Sequence, residues 1–170
     1  MAALARPSSN FLQSLSRSFT DWLSRSAVVG GKIGPVFRVD QTSASLDSAR
    51  AARLIRNGVR AGSIDELVSL FGLGKKEDLS HALNANSTSL WRWARDDKPL
   101  PGPTVEQIVR SMHLQLFASE VFGGVDPARQ WLRKPHPSLG GMSPSDYANN
   151  EYGAQKVHGM LAGLKYGGVA

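Results

Sequence analysis

The chain of 170 residues contains no cysteine. This excludes disulfides, thiolate catalysis and cysteine metal sites. It also suits a reducing compartment, so the cytoplasm is the expected location. No apolar run approaches the roughly 20 residues that span a bilayer, and no membrane partner is expected. The four histidines, His81, His113, His136 and His158, share no metal-ligand spacing. Asp96 and Asp97 are a carboxylate pair only in sequence, since adjacent side chains diverge and a loop ending a helix accounts for them. No nucleophile, general base and oxyanion donor stand in a recognisable set, so neither a catalytic residue, a cofactor nor a metal is expected. A small hydrolase is the weakest of the readings considered.

Acidic residues are scarce at one end. Residues 1–62 carry Arg6, Arg17, Arg25, Lys32, Arg38, Arg50, Arg53, Arg56 and Arg60 against only Asp21, Asp40 and Asp47. The net charge of +6 therefore lies wholly in this third, and residues 63–170 are neutral. A basic excess favours phosphate contact through counterion release, and it equally describes a solvated basic arm.

Among what is present, Phe11, Leu12, Leu15, Phe19, Trp22 and Leu23 recur at helical spacing, which predicts a helix over 11–25 that packs or dimerises. Acid-poor starts bearing Arg and Ser also occur in transit peptides. Gly30, Gly31, Gly34 and Pro35 then break the chain, and Val36–Val39 is either a short strand or an extended linker. A helix is expected over 46–57, with Gly58 as a left-handed cap. Ser63 and Glu66 have the spacing of a capping box opening the next helix, whose stripe is Ile64, Leu67, Val68 and Phe71.

Residues 77–95 carry a helix-turn-helix pattern. Leu79, Ala82 and Leu83 face inward on its first helix. Asn84 can take positive φ in the turn, and Asn86 is a good N-cap. The second helix buries Leu90 and Trp93, leaving Ser87, Thr88, Ser89, Trp91, Arg92 and Arg95 on its other face. Hydroxyls followed by arginines suit phosphates and base edges. Trp91 and Trp93 cannot face the same way, so one is core and one exposed. After the rigid loop 97–103, Thr104 is expected to cap a helix reaching Val121, long enough to join two halves.

The last fifty residues hold three short helical patterns separated by breakers. Asp126 is read as the cap of the first, with Pro127 at its first position. Ser143-Pro144 opens the second and Asn149 or Asn150 the third, where Val157, Met160, Leu161 and Leu164 repeat at i, i+3, i+4 and i+7. The chain then runs through Lys165, Tyr166, Gly167 and Gly168 to Ala170. Such a glycine-rich end is ordinarily a frayed terminus. It could also enter a narrow cleft, with Lys165 meeting a phosphate or acidic site and Tyr166 stacking in a ring pocket.

The C-terminal block resembles the toxin-binding domain of Xre/MbcA/ParS-type antitoxins. The resemblance rests on Val121-Phe122-Gly123, Ala128 to Leu132, Pro135 to Gly141, Ser143-Pro144, Glu151 to Val157 and Tyr166-Gly167. Residues 55–93 resemble the family's Xre-like half through Ile55-Arg56-Asn57-Gly58, Asp78-Leu79-Ser80 and Ser87 to Trp93. Asn84 and Asn86 stand where the family often has glycine and serine, and both suit the geometry. Residues 1–45 carry no such resemblance.

The resemblance implies an all-α protein in which an N-terminal helix-turn-helix (Xre-like) module is fused to a small helical toxin-binding module. Its parts would be an arm over 1–45, partly disordered or dimer-forming, the helix-turn-helix domain over 46–120 and the toxin-binding domain over 121–170. It implies a RES-domain, NAD-degrading toxin as protein partner, promoter DNA as a second partner, and a homodimer. DNA binding would fall to Asn86, Ser87, Thr88, Ser89, Trp91, Arg92, Arg95 and Lys98. Toxin binding would fall to Trp131, Tyr147, Lys165, Tyr166, Gly167 and Gly168, although Trp131 taken alone reads as core. The competing reading is a helix-turn-helix regulator with no toxin, its C-terminal domain serving oligomerisation.

Overall fold

The computed structural model describes residues 9–28, 34–40 and 43–167. The elements in chain order are α1 (Ser9–Ser26), β1 (Phe37–Val39), β2 (Ala44–Leu46), α2 (Ser48–Asn57), α3 (Glu66–Leu70), α4 (Lys76–Ala82), α5 (Ser87–Arg95), α6 (Gly102–Phe122), α7 (Val125–Arg133), α8 (Pro144–Tyr147) and α9 (Glu151–Tyr166). A 3-10 turn at Pro137–Leu139 separates α7 from α8. The chain is mostly helical, consistent with the all-α expectation, and adds one small antiparallel hairpin that the expectation did not include. Phe37 pairs with Leu46, Arg38 with Ser45 and Val39 with Ala44. Leu46 belongs to this strand rather than to a helix because Asp47 caps α2, accepting from the Arg50 N–H while its own N–H donates to the Val36 carbonyl.

Two hydrophobic clusters form, and α6 supplies both. The first gathers Phe19, Trp22 and Leu23 of α1, Phe37 and Ala44 of the hairpin, Leu54, Ile64, Leu67, Leu79 and Leu90, with Val105, Ile108, Met112 and Leu116 of α6. Helix α1 thus buries its apolar stripe within this chain. The second gathers Leu114, Ala118 and Val121 of α6 with Ala128 and Leu132 of α7, Leu139, Ala148, and Val157, Met160 and Leu161 of α9. At 1.5 Å rise per residue α6 runs about 31 Å, long enough to be the spine of both.

Local chemistry explains the helix ends. Asn84 sits at φ 47° between α4 and α5, and the Asn86 side chain caps α5 by accepting from the Ser89 N–H. Ser143 caps α8 and Asn150 caps α9 in the same manner. Four sequence expectations differ. The Ser63–Glu66 capping box does not form, because α1 recruits both side chains. Ser63 Oγ lies 2.8 Å from Ser26 Oγ, and Glu66 accepts from Arg25 at 2.6 Å. Thr104 is buried inside α6, whose cap position is Pro101. Asp126 lies inside the first turn of α7, which starts after Gly124. Gly58 caps α2 at positive φ, 87°, but its ψ of 162° departs from the left-handed helical value. In addition, Trp91 and Trp93 are both half-buried against the first cluster, so neither is fully core nor fully exposed.

Glycine is required at one helical position. A Cβ on Gly153 would lie 1.8 Å from the Tyr147 carbonyl oxygen, where backbone rather than a mobile side chain blocks it. Gly153→Ala is expected to lower stability by about 3 kcal/mol through displacement of α9 from α8, and urea denaturation measures it. An unchanged midpoint would contradict this packing.

An aromatic stack crosses the spine. The Phe37 and His113 rings are 6.5 Å apart, His113 and His158 4.9 Å, and His158 and Phe117 5.3 Å. Burial, and secondarily His158, pushes the His113 pKa down to about 4, and burial lowers that of His158 against the pull of Glu151. Glu106, Arg110 and Glu151 share the adjoining cavity of about 420 Å³. The unfolded chain then binds more protons than the folded one between the ordinary histidine value and about pH 4. Stability is therefore expected to fall on acidification from pH 6.5 to 4, by up to about 3 kcal/mol from His113. Urea midpoints at stepped pH read this slope, and His113→Phe should flatten it.

Candidate functional site

Two surfaces hold the residues singled out by sequence. The first is built on α5. Ser87, Thr88, Arg92 and Arg95 are exposed and Ser89 is half-buried. The Arg92 side chain has no ion pair among the described residues. Arg95 and Lys98 both pair with Asp96, at 3.0 and 3.6 Å, and the hydrogen bond from Arg95 holds the Asp96 carboxyl below its ordinary pKa. Asp96 thus neutralises part of the cation cluster near the end of α5. Trp91 is covered on one side by Lys76, whose Nζ lies 5.6 Å from the ring centroid. Asp97 and Arg60 pair at 3.4 Å and place a further cation beside this end of α5.

The second surface is built on α9 and its neighbours. Trp131 is half-buried, its ring 5.4 Å from Phe122 and 6.5 Å from His136. Tyr147 is half-buried against the second cluster. Lys165 is not a free cation, because its Nζ donates to Glu120, whose side chain is 2% exposed. That bond raises the Lys165 pKa even though burial opposes it. Tyr166 stands 76% exposed. Gly167, at φ 76° and ψ 20°, ends α9 in the left-handed conformation and returns its N–H to the Gly163 carbonyl. Gly168 lies outside the described residues. Of the six residues named for this surface, the structure therefore leaves Tyr166 and Gly167 open.

Sequence reasoning missed Tyr152, which is 84% exposed, and Met142, which is 44% exposed. The signal for Tyr152 was in the sequence. Val157, Met160 and Leu161 fix the buried face of α9, and residues spaced by four and three on the opposite side are Tyr152, Lys156, Gly159, Gly163 and Tyr166. A Cβ on Gly159 would meet nothing within 4 Å. The outward face of α9 is thus a strip about 21 Å long with a tyrosine at each end and Lys156, Gly159 and Gly163 between.

Helix α7 ties the second cluster to the end of α3. Arg129 donates to the carbonyls of Leu70 (2.8 Å) and Ser69 (3.4 Å), and Arg133 donates to those of Phe71 (3.2 Å) and Gly72. Two cations thereby satisfy the carbonyl end of α3, where cations are electrostatically favoured. A cavity of about 310 Å³ lies along this seam, lined in part by His81, Gln107, Arg110 and Asp146. Among the described residues no cluster of three or more His, Asp or Glu could hold a metal ion.

Residues 117–167 match the family of the antitoxin Xre/MbcA/ParS C-terminal toxin-binding domain. The matched segment takes in most of the second cluster, from the last turns of α6 to the end of α9. Antitoxin Xre of Pseudomonas putida is 31% identical over 71 residues, which is 42% of this chain and 45% of that relative. The match thus spans less than half the relative's length. Both similarities support an Xre/MbcA/ParS-type antitoxin.

Proposed function

We propose that this chain is an antitoxin that binds a toxin through the outward face and C-terminal end of α9 and represses its own promoter through α4 and α5. The observation that carries the reading is the pairing of a toxin-binding-domain match over 117–167 with two highly exposed tyrosines, Tyr152 and Tyr166, on one face of that domain's last helix. A large aromatic side chain left in water costs stability, and interfaces are where tyrosine is enriched and contributes most. Bare backbone at Gly159 lets a partner chain approach the helix between the two rings.

The family resemblance names the partner as a RES-domain, NAD-degrading toxin. In that case Tyr166, Gly167 and Gly168 cover its active site. Lys165 acts differently from the free cation considered from sequence, anchoring the end rather than entering the cleft. Trp131 and Tyr147 support the surface from beneath. No catalytic step is required of the chain. On the DNA side, Asn86, Ser87, Thr88, Ser89 and Arg92 face the groove, with Arg95, Lys98 and the adjoining Arg60 near phosphates and Trp91 packed beside them. One α5 reads a short half-site, so a homodimer supplies the second.

Two experiments test the two halves. Ending the chain after Lys165 keeps the anchor to Glu120 and removes the tip. Expected is loss of neutralisation of a co-expressed RES-domain toxin, with thermal stability and promoter affinity held near wild type. Full rescue by the shortened chain would remove the tip from the account. For DNA, Arg92→Ala is expected to weaken binding to the chain's own promoter fragment about tenfold at fixed salt, equivalent to about 1.4 kcal/mol. An unchanged affinity would count against α5 as the reading helix.

A further inference from the structure

Three layers lie in register across the molecule. The β1–β2 hairpin packs on α6, and α6 packs on α9. Two relays run through all three. In one, Phe37 of β1 stacks on His113 of α6, which contacts His158 of α9. In the other, the buried N–H of Ala44 in β2 donates to Glu120 Oε2 at 2.9 Å, while Glu120 Oε1 accepts from Lys165 of α9. The members of each layer are seven residues apart: Phe37 and Ala44, His113 and Glu120, His158 and Lys165. On a helix, seven residues is two turns, so each helical pair shares a face, and Phe37 and Ala44 share a face of the hairpin because Ala44 pairs with Val39, two residues from Phe37. The hairpin thereby reaches α9 at two levels through side chains of α6.

The second relay sits where α9 has little else to hold it. Leu161 is its last buried apolar residue. Beyond it, Ala162 and Gly163 are half-buried, and Leu164 and Tyr166 are exposed at 37% and 76%. The last turn of a helix frays unless tied. Here Lys165 provides the tie, through a carboxylate that is itself almost fully buried. A buried carboxylate must have both oxygens satisfied: loss of the Ala44 N–H leaves one oxygen without a donor, and loss of Lys165 leaves the charge uncompensated. The Ala44 N–H is therefore part of what makes Glu120 a fixed acceptor for Lys165. Residues 37–46 lie outside the segment matched by the toxin-binding family, yet they supply this donor.

We propose that the β1–β2 hairpin is a positioning element for the partner-binding end of α9, acting through Glu120 on Lys165 and through His113 on His158. The inference rests on the reading of α9 as the toxin-binding helix for its consequence, though not for its geometry. Its role is to hold the last turn in place before a partner arrives, which lowers the ordering cost of binding.

The test reads the full-length free protein first. Ala44→Pro removes the donor to Glu120 at the end of a short strand, and Lys165→Met removes the charge while keeping the stem. Both are expected to speed amide hydrogen exchange over residues 163–167 at least tenfold, with exchange in α5 unchanged. Ala44 donates to α6 and not to the last turn of α9, so a purely local role for the hairpin leaves those amides at their wild-type rate in Ala44→Pro. Where Ala44→Pro does not fold, Phe37→Leu breaks the Phe37–His113–His158 relay with little change of apolar volume, and the same amides are read. Wild-type exchange in the readable hairpin variant overturns the proposal. The second measurement is dissociation of a co-expressed RES-domain toxin, expected to be about tenfold faster from the hairpin variant. If the intact chain binds no such toxin, the antitoxin reading fails while the exchange result still decides the relay. If the intact chain binds it and the hairpin variant releases it at the same rate, the positioning role is wrong.

Discussion

Helix α6 is the constraint on which the rest depends. One face of it is buried in the first cluster with α1, the hairpin and α2, and another in the second cluster with α7 and α9. A helix buried over so much of its circumference must satisfy every polar group it carries inward. Gln107 and Gln115 do so by donating to the carbonyls of Ala82 and Leu70, and Glu120 does so with Ala44 and Lys165. The polar residues of the spine are thus the points at which the flanking elements are fixed in place. Ser119 Oγ is buried without a hydrogen-bond partner among the described residues.

A shared spine makes the two clusters one mechanical unit. The arginines of α7 cap α3 from the far side of the seam, and Asp146 of α8 lies 3.3 Å from His81 of α4. The proposed DNA-reading helix and the proposed toxin-binding helix are therefore mounted on one body. Their exposed faces nonetheless differ in chemistry. The α5 face is hydroxyl and guanidinium, suited to a polyanion. The α9 face is tyrosine, lysine and glycine, suited to a protein surface. The basic surplus of the first 62 residues includes Arg60, which lies beside the end of α5.

Much of the fold was legible because it is written in local signals. Asn84, Asn86, Ser143 and Asn150 act where turn and cap chemistry put them, and Val157, Met160 and Leu161 of the α9 stripe point into a core as its period required, while Leu164, its fourth member, is exposed. The misses came from partners distant in sequence. Ser63 and Glu66 have the spacing of a capping box, but α1 offers both side chains alternatives that spacing cannot reveal. The strand Ala44–Leu46 has no pattern of its own and exists because Phe37–Val39 pairs with it. Lys165 looked like a free cation in a glycine-rich tail, and its partner lies 45 residues away on a helix that reads as apolar. Tyr152 was recoverable by projecting α9 on its 3.6-residue period, since the buried face determines the opposite one. The hairpin's reach to α9 through α6 is a property of three packed layers and has no trace in any single segment.

The central claim is that α9 presents its outward face and end to a protein partner. Hydrogen exchange of the full-length chain, alone and in complex with a co-expressed RES-domain toxin, tests it most directly. The account predicts new protection over residues 159–167, with side-chain labelling of Tyr152 and Tyr166 suppressed in the complex. Protection confined to α5 or to the 1–46 region, with both tyrosines still labelled, would contradict it.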